Sequence, residues 1–285
     1  MTTRFSRAAI ALLLLVAAAL AWAETAPAVA DEVRAAILLY HRFDPNHAPK
    51  ATTVTTEAFE DQLNWLADHG YKVAPLSAVV AALNGGGEIA PRTVAIAVDD
   101  GYRSQYTDMY PIILRHGVPV TLFVVGRAVS AEKDALSWEE IDEMTKSGLV
   151  DVQSHTSTHP NFDHARASKR PADFAAFVVK ELQGSKATLE ARVKRPVSYL
   201  AWPYGITGAD LKRAATAAGY SAAFIVGGHR ARTGDDAFAL PRIAVSDAER
   251  GDRFERLLRL GGGAPAAANE PLASCAAHAA APASP

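Results

Sequence analysis

Seven short apolar runs, separated by amphipathic or turn-rich stretches, constrain this chain more than any other feature. They fall at residues 36–40, 94–98, 120–125, 150–153, 199–202, 222–226 and 240–245. Both alternating faces of each run are apolar, so each reads as a strand buried on two sides. Between them, residues 57–69 place Phe59, Leu63 and Leu66 on one helical face and stop at Gly70. Ile112, Ile113 and His116 before Gly117 repeat the arrangement. So do Phe174, Phe177, Val178, Leu182 and Leu189 within 172–193, and the stretch 211–218 before Gly219. Strands alternating with helices predict a parallel α/β fold, either a closed or nearly closed barrel or an open doubly wound sheet. No Gly-x-Gly-x-x-Gly follows the first run and no Walker loop occurs, so a nucleotide site lacks support.

The ends differ from this body. Arg4 and Arg7 precede an apolar stretch over 8–21, and Ala21-Trp22-Ala23 offers a small-x-small cleavage pattern. Residues 1–23 are therefore expected to be a signal peptide, too short in its apolar part to span a bilayer stably. The expected location is periplasmic or secreted, with no stable membrane anchor after cleavage. Residues 24–34 read as a linker. Residues 261–285, rich in Ala, Pro and Gly, have little to bury and are expected to be a disordered tail.

Composition narrows the chemistry. With 29 basic and 31 acidic residues the formal charge is −2, which leaves no basic footprint for nucleic acid. The single cysteine, Cys275, lies in the tail, so neither an internal disulfide nor a thiolate zinc cluster can form. Nine histidines remain, and any metal chemistry must use nitrogen and oxygen ligands.

Chemistry-bearing residues gather just after the strands. Tyr40-His41-Arg42-Phe43 follows the first, Asp99-Asp100-Gly101-Tyr102 the second, Ser154-His155 to His159-Pro160 the fourth, and Pro203-Tyr204-Gly205 the fifth. A parallel barrel places all four on one rim. Pro160 disfavours helical geometry at His159, so the two histidines are expected on a loop. Two imidazoles and one carboxylate suit a divalent metal such as zinc, with positions left open. Adjacent acids at a buried strand end are costly unless paired or metal-bound. Of Asp99 and Asp100, one can ligate a metal while the other serves as general base.

Val98-Asp99-Asp100-Gly101 followed by Ser154-His155 to His159-Pro160 resembles the polysaccharide deacetylases of the NodB-homology group (carbohydrate esterase family four). The likeness spans residues 37–245. It implies a distorted parallel (β/α)7-type barrel forming a single catalytic domain over 35–260. It further implies a metal-dependent hydrolase that removes acetyl groups from an acetylated polysaccharide or oligosaccharide. Carried over by position, Asp99 is the general base, and Asp100, His155 and His159 hold a divalent metal, zinc first, with cobalt, nickel or iron as others. The family's arginine ahead of Pro-Tyr is absent from Leu200-Ala201-Trp202-Pro203-Tyr204, and its late histidine is replaced in Leu240-Pro241-Arg242. Tyr40-His41 and Trp202-Pro203-Tyr204-Gly205 are similar to the subgroup acting on poly-N-acetylglucosamine, which implies His41 as general acid, with His229 its rival.

The same reading gives the backbone N–H of Tyr204 to the developing oxyanion and makes Arg242 a candidate to orient Asp99. Trp202, Tyr102 and Phe43 are candidates to stack on sugar rings. N-acetyl groups are the expected target. Competing readings are an O-acetyl esterase of the same family, an inactive glycan-binding barrel, and a glycoside hydrolase. The last needs two carboxylates facing across a cleft and leaves both histidines without a role.

Overall fold

A computed structural model describes residues 33–48 and 50–260. The expected signal peptide, the tail and most of the expected linker lie outside the described residues; of the linker, Arg34 is the first residue of the barrel.

Seven strands form a closed parallel ring in sequence order: β1 (Arg34–Tyr40), β2 (Thr93–Asp100), β3 (Val120–Val124), β4 (Val150–Ser154), β5 (Tyr199–Ala201), β6 (Ala222–Val226) and β7 (Leu240–Ala244). Strand β1 closes the ring by pairing with both β2 (Ala36↔Val94 to Tyr40↔Val98) and β7 (Leu38↔Ile243, Leu39↔Ala244). The seven apolar runs are these seven strands. The ring is uneven. β4 and β5 share the single pair Ser154↔Leu200, and the start of β1 is bordered by the antiparallel segment Ala231–Arg232.

Among the described residues eight α-helices surround the strands: α1 (Thr56–Asp68), α2 (Leu76–Leu83), α3 (Tyr110–His116), α4 (Trp138–Lys146), α5 (Phe162–Ser168), α6 (Pro171–Val193), α7 (Ala209–Ala217) and α8 (Asp252–Leu260). Local chemistry explains their limits. The Thr55 hydroxyl caps α1 by accepting from the Ala58 N–H, and α1 buries Phe59, Leu63 and Leu66. Each such side chain contributes about 1.5–3 kcal/mol by leaving water. Ser137 and Glu140 form a reciprocal capping box that starts α4. Gly117, at φ +64°, ends α3 in a conformation a Cβ would strain.

Strand alternation sorts the apolar residues into two layers. Ala35, Ile37, Ala95, Ala97, Phe123, Phe224 and Leu240 form one cluster, on which α2 lays Leu76, Val79, Val80 and Leu83. Leu38, Ile96, Val98, Leu122, Leu200 and Ile243 face the remaining helices in the larger cluster. Asp99 and Arg242 keep the parity of Ala97 and Leu240, so the smaller cluster sits beneath them. No helix among the described residues is long and apolar enough to cross a membrane.

Candidate active site

The carboxyl ends of β1, β2, β4, β5 and β7 converge on one buried polar cluster. Asp99, the next-to-last residue of β2, receives a two-pronged bond from Arg242 of β7. Nη1 donates to Oδ1 and Nη2 to Oδ2, both at 2.7 Å. Both side chains are buried, Arg242 completely. Burial alone would raise the Asp99 pKa, but the charges of Arg242 and His155 and the bonds from Arg242 outweigh it and hold it down at about 2. The guanidinium lies over the Phe123 ring at 5.3 Å, within the apolar floor.

Asp100 has the opposite environment. Burial and the neighbouring Asp99 charge raise its pKa to about 8, with some relief from the Tyr102 hydroxyl. Its backbone, at φ +78°, leaves the strand as the turn into Gly101 begins. Neither carboxylate oxygen makes a hydrogen bond of ordinary geometry. His155 Nε2 and His159 Nε2 lie 3.5 and 3.7 Å from Asp100 Oδ1. The ligand atoms of these three residues fall within 4.8 Å of one another.

The histidines sit on the loop after β4, which is shaped by Thr156 and His159 at φ +68° and +54°. His155 holds its Nδ1 against the Ala201 carbonyl at 2.8 Å, which turns Nε2 towards Asp100. Burial lowers both histidine pKa values, with the Asp99 charge opposing it at His155 and the His155 ring adding to it at His159. Neutral imidazoles aimed at a buried carboxylate with orphaned oxygens could hold a divalent cation through two nitrogen ligands and one oxygen ligand. The strained backbone is clustered here: Asp100, Thr156, His159 and Tyr204 all have positive φ.

His41, half-buried at the end of β1, is pushed down to about 4 by burial, with Asp99 opposing and Arg242 and His155 reinforcing the shift. Tyr204, at φ +57° in the turn Pro203–Gly205, lays its ring 4.7 Å from that of His159. His229 is exposed and bonds through Nδ1 to the Gly227 carbonyl. Thus His41, rather than His229, shares the electrostatics of Asp99.

The three aromatic candidates for sugar stacking are not at the surface. Trp202 is 1% exposed, with Nε1 donating to the Phe238 carbonyl and its ring edge-on to Phe162. Phe43 is packed with Tyr40 and Phe59. Tyr102 is buried, its ring covered by the Arg42 guanidinium at 3.6 Å. Their faces are occupied by these packing contacts, so none of the three presents an open ring at the rim.

Two contributors escaped sequence reading. Glu181 of α6, buried, accepts from the Thr158 N–H at 2.9 Å and the Thr158 hydroxyl at 2.8 Å, bracing the loop between the histidines. Gln105, fully buried, donates to the carbonyls of Asp99 and His41. Neither position carries a local signal, since both act by reaching back from a neighbouring element.

A family profile described as polysaccharide deacetylase matches residues 86–223, a span containing Asp99, Asp100, His155, His159 and Tyr204. The chain is 28% identical over 221 residues to the poly-beta-1,6-N-acetyl-D-glucosamine N-deacetylase of Staphylococcus aureus, covering 76% of this chain and 74% of that protein. Two solved structures share the fold. The Streptococcus pyogenes deacetylase PplD, in complex with acetate, matches with TM-score 0.71 at 21% identity, over 80% of this chain and 99% of that one. IcaB from Ammonifex degensii matches with TM-score 0.67 at 24% identity, over 76% and 93%. The closed seven-stranded barrel, the matched segment and its paired acids and histidines agree: the chain is similar to polysaccharide deacetylases in sequence and in fold.

Proposed function

We propose that this chain is a divalent-metal-dependent N-deacetylase of an acetylated amino-sugar polysaccharide, of the poly-N-acetylglucosamine type, working outside the cytoplasm. The observation that carries this reading is the pairing of two unlike carboxylates at the end of β2. Asp99 is locked and ionised by Arg242, while Asp100 is orphaned among neutral imidazoles. The substrate class is supported by the named activity of the Staphylococcus aureus relative. Export is supported by the leader-like pattern of residues 1–23.

Asp100, His155 and His159 are the residues that would hold the metal, with zinc fitting a donor set of two nitrogens and one oxygen. A bound ion would supply Lewis-acid polarisation of the acetyl carbonyl and a lowered pKa for water. Asp99 takes the proton of the attacking water. Arg242 keeps it ionised and fixes both its oxygens, so the accepting lone pair has one direction. The Tyr204 N–H is given the oxyanion. His41 starts neutral in its desolvated setting and is coupled to the Asp99 charge. It passes the proton gained by Asp99 to the departing sugar nitrogen. Water and amide thereby become acetic acid and amine, which leave as acetate and ammonium once the acid's proton passes to the amine.

The direct test is acetate release from partially acetylated poly-N-acetylglucosamine by the intact protein and its variants. Asp99→Asn and His155→Ala should each lower kcat by at least about 100-fold, the size of losing a positioned base or a metal. Acetate release by Asp99→Asn at the parent rate would remove Asp99 from the chemistry.

A further inference from the structure

Beyond the Asp100, His155 and His159 cluster, the structure holds a second device at the same rim. After the Asp99-Asp100-Gly101 turn and three further residues, the chain makes one π-helical turn, Gln105–Met109, before α3 begins at Tyr110. Such turns are rare, and they recur at functional sites because the widened ring re-aims one side chain. Here the re-aimed side chain is Gln105. It folds back under the rim and is completely buried. Its Nε2 donates to the Asp99 carbonyl at 2.6 Å and to the His41 carbonyl at 3.0 Å. Its Oε1 has no partner among the described residues, so the two donations alone hold the amide. The amide cannot be turned over, because that would set an oxygen against two carbonyl oxygens.

The position is informative. The ladder between β1 and β2 ends at Tyr40↔Val98, one residue short of both His41 and Asp99. Gln105 joins the two carbonyls that the ladder no longer reaches. The neighbouring Ser104 hydroxyl accepts from the Phe43 N–H at 3.1 Å, so Ser104 and Gln105 together grip the backbone on both sides of Arg42, directly after His41.

We propose that Gln105 is a positioning residue: the fork from its side chain to the His41 and Asp99 carbonyls sets the spacing between proton donor and base. This rests on the reading of His41 and Asp99 as those groups. Misplacement of reacting groups by about 1 Å costs on the order of 100-fold.

The experiment compares Gln105→Met with Gln62→Met. Gln62 is a matched control, a buried glutamine that donates to the carbonyls of Ser246 and Glu249 and accepts from the Tyr40 hydroxyl, away from the reacting groups. Acetate release, bound metal per chain and thermal midpoint are measured on each. The expected result is a fall in kcat of about 10–100-fold in Gln105→Met, with KM within about twofold and metal content unchanged. Gln62→Met should lose comparable stability yet keep kcat within about twofold. If Gln105→Met does not fold, Gln105→Asn, whose shorter amide reaches one carbonyl at most, carries the same comparison with a smaller loss. Parent-like kcat in the Gln105 variant, or equal loss of kcat in both glutamine variants, overturns the proposal. His41→Ala and Asp99→Asn are run beside them. Full activity there overturns the role reading itself, whereas their inactivity beside an active Gln105 variant overturns the positioning role alone.

Discussion

Replacing Arg242 by methionine is the perturbation whose consequence can be worked furthest. The side chain is fully buried, and both terminal nitrogens are committed to Asp99 at 2.7 Å. Methionine fills similar apolar space over Phe123 but leaves a buried carboxylate without its counter-charge. Removing one partner of a buried pair costs about 3–5 kcal/mol, against at most about 1 kcal/mol at the surface. In a domain of this size that lowers the thermal midpoint by about 6–20 °C. The effect has a pH signature. The folded Asp99 pKa, held down at about 2, lies below its ordinary value, so the pair's contribution is complete above pH about 4 and fades as pH falls towards 2. The assay is thermal unfolding of Arg242→Met, Asp99→Asn and the double variant. The double variant should be more stable than the sum of the single losses implies, by at least about 2 kcal/mol. Strict additivity, or a midpoint shift under about 2 °C for Arg242→Met, would refute the buried-pair argument.

Further expectations follow from neighbouring contacts. Glu181→Leu removes both bonds to Thr158 and should weaken metal affinity by about 10–100-fold in a chelator-competition titration; affinity within twofold of the parent would count against a bracing role. Trp202→Phe should lose about 1 kcal/mol by giving up the bond to the Phe238 carbonyl while leaving KM unchanged, and a raised KM would return Trp202 to the substrate surface. Gly101→Ala places a Cβ 3.2 Å from Val124 Cγ1 at φ +79°, which should cost about 1–3 kcal/mol in denaturant unfolding; a neutral result would mean that the turn relaxes freely.

Much of the fold was legible because its signal is redundant. Seven strands apolar on both faces can be buried in few ways, and helix stops at Gly70, Gly117 and Gly219 mark the returns. Parallel order then brings Asp99-Asp100, His155 and His159 to one rim before any coordinates are known. Arg242 was legible as a substitution for a missing arginine, and the structure gives its geometry. The burial of the rim aromatics was not legible, because a ring at a strand end looks the same in sequence whether it faces solvent or the helix layer. Packing of Trp202 under Phe162 and of Phe43 between Tyr40 and Phe59 decided that. Gln105 and Glu181 were invisible for a related reason. Each acts through backbone groups of residues reached only after the chain turns back, and no periodicity records such a contact.

The central claim is that acetyl removal depends on an ion held by Asp100, His155 and His159. It is tested most directly by acetate release from poly-N-acetylglucosamine as metal-stripped protein is titrated with zinc. The account predicts no release by the stripped protein and a rise that saturates at one ion per chain, with Asp100→Asn and His159→Ala failing to reach it. Release by the stripped protein, or by those variants at the parent rate, would contradict it.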